Sequence, residues 1–556
     1  MSLFVKKSIP KLLEEARRSG EGTLKRTLNG TSLVALGIGA IVGAGLFSIT
    51  GMAAAEYAGP GIMISFIIAA VGCGLAGLCY AEFASMIPVA GSAYTYSYAT
   101  MGEFVAWIIG WDLVLEYAVA ASTVASSWSD YFQELLNRFG VGLPPELLIT
   151  PFNGGIINLP AVFIVVLMSV FLIRGTSESA RVNNIIVILK VGIVLIFVAI
   201  GFKYIRPENL DPLIPPNEGK FGAFGWSGVL RAAAIVFFAY IGFDAVSTAA
   251  QETKNPKRNM PIGILGSLVI CTLLYIAFAY VMTGVAHYTE FRGEGGDLAP
   301  VATAIEWMGP IVNGVPHPDY PWLNTAIIIA ILLGFSSVIM VMLLGQSRVF
   351  YSMSEDKLLP KLFSEVHKKY RTPYKSSLII MIFVSLFAAF LPGELVGEMV
   401  SIGTLFAFIL VSIGVLVARY KMKDVPRGFK VPFVPVIPVL SVLVCLGLMA
   451  FLPFDTWIRL LVWLLIGLDI YDNYGVKKSK MNAGKKHFKD KVIIGICGIA
   501  VSILLLIMAI LHHFFLEGGD DLVFFYVSIV IGVFHLIYFI YKYLKDKKLG
   551  RELNEI

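Results

Sequence analysis

Charge is scarce in this chain. Only 15% of its 556 residues are Asp, Glu, Lys or Arg, against about 25% in an ordinary soluble domain. Histidine is rarer still, at seven scattered positions. The five cysteines (Cys73, Cys79, Cys271, Cys445 and Cys497) are odd in number and all lie inside apolar runs. That pattern excludes a disulfide framework and reads as small buried apolar residues. No HExxH, no Walker-type glycine loop and no GxSxG occurs, so no familiar enzymatic apparatus is offered, and neither a cofactor nor a metal is expected. The first 30 residues lack both an apolar core and a small-residue cleavage pattern, so no cleaved signal peptide is expected.

Apolar residues are plentiful instead, at 57% of the chain, with a mean hydropathy of +0.78. Runs of about 20 of them recur, each long enough to cross about 30 Å of hydrocarbon as a helix. Fourteen spans are expected, near 31–57, 60–87, 103–127, 156–174, 182–203, 228–250, 262–286, 324–350, 376–391, 396–418, 434–453, 456–474, 491–513 and 521–543. The expected class is an all-α polytopic protein of the lipid bilayer. An even number of spans puts both termini on one side. If that side is the cytoplasm, cytoplasmic segments hold 36 of the 44 Lys and Arg, an asymmetry that orients membrane proteins. A multi-pass cell-membrane protein with both termini cytoplasmic is therefore expected. Basic loops beside an anionic leaflet also account for the net charge of +6 without any nucleic acid.

Two spans are interrupted. The stretch "GIGAIVGAGLFSITG" (37–51) places glycine at 37, 39, 43, 45 and 51, although an interior glycine costs a helix about 1 kcal/mol relative to alanine. The sixth span, "VLRAAAIVFFAYIGFDAVSTAAQETKNPKRNMP", carries Ala239, Tyr240, Ile241 and Gly242 near its middle, with Asp244 just beyond. Spans one and six are five apart. Interrupted helices at matching positions of two five-helix halves point to an inverted-repeat transporter. Close helix packing on small residues accounts for Gly39, Gly43 and Gly51, but not for the matched position of Gly242. A break around Ile41–Gly45 would free the first amides of a half-helix starting near Ala44, and these suit a carboxylate. The first half of span six would end near Ala239–Ile241, where free carbonyls suit an ammonium. Together they read a zwitterion. The expected organisation is a segment 1–30 on the cytoplasmic side, five-helix repeats at 31–205 and 228–420, two spans in 434–475, and two more with a tail in 476–556.

At these residues the sequence resembles a known family. "GAIVGAGLF", "FFAYIGFDAVSTAAQETKNPKRNMP", "PVAGSAYTYSYATMGE" (88–103), "GQSRVFYSMSEDKLLP" (345–360) and "VPRGFKVPFVPVIPVLS" (425–441) are similar, in order, to motifs of the amino acid–polyamine–organocation superfamily. The last two are most like its cationic amino acid transporter branch. The resemblance covers residues 25 to about 475, and beyond them it extends only to span count. It implies a LeuT-type 5+5 inverted repeat with broken helices 1 and 6, plus four C-terminal spans. It also implies a permease importing amino acids, cationic and/or small neutral, by proton symport. It assigns the carboxylate to Gly43, Ala44 and Gly45, and the amine to the carbonyls of Ile41, Phe238 and Ile241. Phe238 resembles the family's occluding aromatic; packing is the alternative. Met340, with Ser336 and Ser337, lies close to where the family lines its pocket, although serines in a span more often bond their own backbone.

Three charged positions complete the reading. Lys190 lies about 13 Å into span five, counted from Arg181, and an intramembrane lysine is a functional candidate by default. It either exchanges the coupled proton or tethers the carbonyls of the broken first helix. In proton-coupled members that the chain resembles, a lysine here takes the place of the sodium ion used by LeuT-fold relatives. Glu116, one turn after Asp112 on span three, faces the side chain of a bound cationic amino acid or partners another buried group. Glu82 and Asp469, near the cytoplasmic ends of their spans, read as solvated or salt-bridged. An ammonium at 190 argues against sodium coupling. The outer segment 128–155 contains no cysteine, so no disulfide-linked glycoprotein partner is expected, while a small membrane-protein or lipid partner stays open. An exchanger and an amino acid sensor of the same fold remain as alternatives.

Overall fold

The computed structural model describes residues 3–9, 12, 28–89, 91–174, 179–250, 253–292, 299–312, 315–370, 372–481, 488–515 and 522–552. Regular structure is almost wholly helical, because apolar spans must satisfy their own backbone groups. Among the described residues the strands are one antiparallel pair, Ile311–Val312 with Val315–Pro316.

Helix α1 (Gly30–Ile41) starts on Asn29, whose Oδ1 accepts from the Ser32 amide at 2.8 Å, as a capping side chain should. It stops where Val42 turns extended. The chain becomes helical again as α2 (45–58), which mixes π and α turns. Gly59 at φ +56° and Pro60 end that run, and α3 (Ile62–Met86) follows. Then come the short buried α4 (Ser92–Thr100) and the 36-residue α5 (Glu103–Arg138), with a π turn over Leu115–Val119. Next are α6 (Leu159–Arg174), α7 (Ser179–Gly201) and α8 (Gly225–Val236), which tightens into a 3₁₀ turn at Phe237–Tyr240 before α9 (Ala245–Thr248). The remaining long helices are α10 (Pro256–Val285), α11 (Pro321–Glu355), α12 (Tyr374–Phe390), α13 (Gly393–Lys421), α14 (Val436–Phe451), α15 (Phe454–Ile470), α16 (Phe488–Phe515) and α17 (Leu522–Glu552).

Among the described residues nine helical runs are long and apolar enough to cross a membrane, and ten if α14 and the run 454–478, bent by 114°, count as one more. The polytopic helical class is as expected from the sequence. Nine is fewer than fourteen because α6 and α12 hold only 16 and 17 residues, 45–86 counts as one run although Gly59 turns the chain within it, and α14 and α15, of 16 and 17 residues, meet at the 114° bend.

Helix α10 packs along α1 and α3, α11 along α5, and α16 pairs with α17 and rests on α15. The two interrupted regions meet at the centre. Gly45 permits this, since a Cβ there would lie 2.3 Å from the Ala239 Cα. At one end of the bundle the N-terminal residues are tied down. Lys7 Nζ is 2.6 Å from Asp356 Oδ1, the Tyr94 hydroxyl donates to Asp356 Oδ2 at 2.7 Å, and the Phe104 amide donates to the Leu3 carbonyl at 2.9 Å.

Candidate substrate and coupling site

The break in the first span leaves backbone groups open on both sides. The last amide of the first half, Val42, donates to Ile38, while Leu46 and Phe47 both donate to the Gly43 carbonyl, at 3.1 and 3.2 Å. The amides of Gly43, Ala44 and Gly45 lie between these and find no acceptor among the described residues. All three residues are buried. Buried amides without acceptors are costly, and these three are free to meet one. On the opposing chain, the Ile241 amide donates to the Phe238 carbonyl at 3.1 Å, and Ile241 itself is extended. Gly242 turns at φ +113° against Ala40, a conformation that disfavours any side chain. Phe238, Ala239 and Ile241 are all buried there, at 6%, 1% and 3% exposure.

Carbonyls orphaned where α1 ends are taken up by two side chains. Lys190 Nζ donates to Gly39 at 2.8 Å and to Val42 at 3.1 Å. The Tyr275 hydroxyl, from α10, lies 3.0 Å from the Ile41 carbonyl and 2.8 Å from that of Ala239. Lys190 is 1% exposed and forms no ion pair among the described residues. Its stem runs past Gly334 of α11, where a Cβ would come within 3.1 Å of the lysine Cε.

Glu116 sits on the π turn of α5, fully buried. Such turns re-aim a side chain and recur at functional sites. Its carboxylate stands beside that of Asp244, which the Tyr117 hydroxyl bonds directly. Neither oxygen of Asp112 has a hydrogen-bond partner among the described residues. The sequence-based reading set Glu116 one turn after Asp112; the fold adds Asp244 to that pair. On α11, Val338 rather than a serine faces Gly43, 3.1 Å from where a Cβ would stand. Ser336 and Ser337 bond their own helix, at Leu332 and Gly334, and Met340 is half-buried. Glu82 pairs with Arg419 and Arg427, and Asp469 with His535. Sequence reasoning missed Tyr275. A tyrosine inside an apolar span needs a partner for its hydroxyl, and that was its one available signal.

Known proteins bear on this geometry. The amino acid permease family is matched over residues 28–471. The branched-chain amino acid permease BcaP of Bacillus subtilis (strain 168) is 46% identical over 485 residues, covering 86% of this chain and 99% of that protein. The methylthioribose transporter of the same organism is 42% identical over 484 residues, with the same coverage. The vacuolar cationic amino acid transporter 4 of Arabidopsis thaliana is 33% identical over 427 residues, covering 73% of this chain and 66% of that protein. These relatives are named as permeases and transporters, not as enzymes. With a family match over most of its length and relatives aligned nearly end to end, the chain belongs to the amino acid permease family of the amino acid–polyamine–organocation superfamily.

Proposed function

We propose that the chain is a secondary active transporter that imports amino acids together with protons, through the site where α1–α2 and α8–α9 break. One observation carries the reading: three buried amides without acceptors, at Gly43, Ala44 and Gly45, lie beside a second break that offers backbone carbonyls. In this proposal those amides hold the substrate carboxylate, and the carbonyls of Ile41, Phe238, Ala239 and Ile241 hold its ammonium. Phe238 covers the bound molecule, and Lys190 exchanges the coupled proton.

The architecture proposed is the LeuT-type 5+5 inverted repeat in fourteen spans. Counting α1 with α2 as one span, separating α3 from it, and adding α6, α12, α14 and α15 to the remaining long helices gives that number. Both termini are proposed to be cytoplasmic, on the strength of the positive charges.

For the substrate, neutral aliphatic amino acids are favoured. Val338 faces Gly43 with an apolar surface, and the Bacillus relative BcaP is named for branched-chain amino acids. Cationic amino acids are the second reading, supported by the buried Glu116 carboxylate, gathered with Asp112 and Asp244, and by the likeness to the Arabidopsis transporters. The test is uptake into proteoliposomes with acid outside and no sodium, using labelled leucine, alanine and lysine with methylthioribose as competitor. Concentrative uptake of leucine is expected. Binding without accumulation would identify a sensor, and accumulation only against a preloaded amino acid would identify an exchanger.

A further inference from the structure

Away from the breaks, an open crevice of about 570 Å³ lies between the first turns of α10 and the segment following α13. Its lining divides by chemistry. Lys257 and Arg258 supply charge, and one to two turns further along α10 Ile262, Leu265 and Gly266 supply an apolar floor, faced by Phe429. Both cations are exposed, and neither has an ion pair or side-chain hydrogen bond among the described residues.

The facing wall is held firmly. Glu82 of α3 accepts from Arg427 Nε at 2.9 Å, from Arg419 at 2.7 Å and from the Val431 amide at 2.7 Å, while the Phe429 amide donates to Ser85 Oγ at 3.0 Å. Gly428 lies so near α10 that a Cβ would stand 2.6 Å from the Lys257 carbonyl oxygen. Arg427 is therefore committed to Glu82, whereas Lys257 and Arg258 are left for something else. The apolar face continues along α10 through Val269 and Leu273, which are 60% and 65% exposed. From Arg258 to Leu273 that face runs about 22 Å, past the middle of a hydrocarbon core about 30 Å thick.

We propose that this crevice binds an anionic phospholipid, its phosphate between Lys257 and Arg258 and one acyl chain laid along Ile262 and Leu265 against Phe429. A guanidinium and an ammonium on the long stems that line one crevice suit a phosphodiester. Basic pockets between membrane helices at the cytoplasmic surface are where such headgroups bind. A free phosphate leaves the apolar floor unused. The assignment to the cytoplasmic leaflet rests on the orientation proposed above. The floor is also close to α1: a Cβ at Gly266 would stand 2.9 Å from Val34 Cγ2. A bound lipid thus rests on the helix that supports the half-span leading into the break.

The test uses the full chain in detergent, titrated with phosphatidylglycerol or phosphatidylcholine and read by native mass spectrometry. The parent should retain phosphatidylglycerol selectively. Substituting both cations (K257Q with R258Q) should weaken retention about thirtyfold, equal to about 2 kcal/mol at 1.4 kcal/mol per tenfold for two basic groups. The charge-preserving exchange K257R with R258K should retain it. Leu265→Trp keeps both charges and fills the floor, so it too should lose the lipid. Equal retention of phosphatidylcholine, unchanged retention in the double variant, or displacement by millimolar inorganic phosphate would each overturn the proposal. Orientation is read separately, by an impermeant thiol reagent on a cysteine placed at 257 in intact cells. Labelling from outside would remove the leaflet assignment while leaving the binding result to stand by itself.

Discussion

The hydroxyl of Tyr275 lies 2.8 Å from the Ala239 carbonyl oxygen, and the same hydroxyl reaches Ile41 at 3.0 Å, so one side chain on α10 joins the two breaks. A phenol has a single proton and can satisfy only one acceptor at a time. The other carbonyl keeps capacity for a donor such as an ammonium. Tyr275→Phe leaves buried carbonyls without a donor, at about 1–3 kcal/mol for each unsatisfied group. Leucine affinity measured by calorimetry should fall about tenfold in a protein that still purifies as a single species. Unchanged affinity would place the hydroxyl outside the binding site.

The contact between the breaks makes a sharper prediction at Gly45. A Cβ there would stand 2.3 Å from the Ala239 Cα and 2.8 Å from its nitrogen. Both obstacles are backbone, so no side-chain rotation relieves them. Gly45→Ala should abolish uptake and lower the melting temperature, with an overpacking cost of about 1–3 kcal/mol. Gly74→Ala is the matched control, because nothing lies within 4 Å of its added Cβ. Equal transport by the two variants would mean that the breaks need not meet.

Both breaks were legible in the sequence because they are local. Gly242 stands at the position that matches the first break and that helix packing does not explain, and α1 does end at Ile41. Lys190 was legible for the same kind of reason, being a cost that a plain span does not bear. Tyr275 was not, since one of 23 tyrosines carries no mark until the fold sets it against two carbonyls. The gathering of Glu116 with Asp244 was hidden by distance, because the Tyr117–Asp244 bond closes 127 residues of chain. The stop at Gly59, between the expected spans 31–57 and 60–87, was legible too, because glycine and proline stand together there and Gly59 takes φ +56°.

Glu82 tests what holds the α10–α13 side together. Its carboxylate is 1% exposed and pairs with Arg427, itself 5% exposed, and with Arg419, at 23%. Glu82→Gln leaves both guanidiniums without a counter-charge. Breaking a buried pair costs about 3–5 kcal/mol, and the partial exposure of Arg419 trims its share. The melting temperature should drop by several degrees. Glu365→Gln removes an exposed pair with Lys375 and should change little. Equal effects from the two substitutions would show that the Glu82 cluster adds no more than a surface pair.

Lys190 carries the coupling prediction. Its nitrogen is held by the Gly39 and Val42 carbonyls, at the very end of α1, with no carboxylate paired to it among the described residues. As an ammonium it can serve both carbonyls at once. As a neutral amine it has fewer protons to give and can release them when α1 moves. Protonation and the position of the half-helix would then be linked, which is what a coupled transporter requires. Lys190→Ala should bind leucine, because the proposed carboxylate and ammonium contacts lie on the two breaks, yet fail to concentrate it under an acid-outside gradient. Lys190→Arg is the more telling variant. It keeps the charge but does not release its proton. It should bind and not accumulate. Accumulation by Lys190→Arg at the parental level, driven by the same gradient, would make Lys190 a tether for the end of α1 and move the proton site elsewhere.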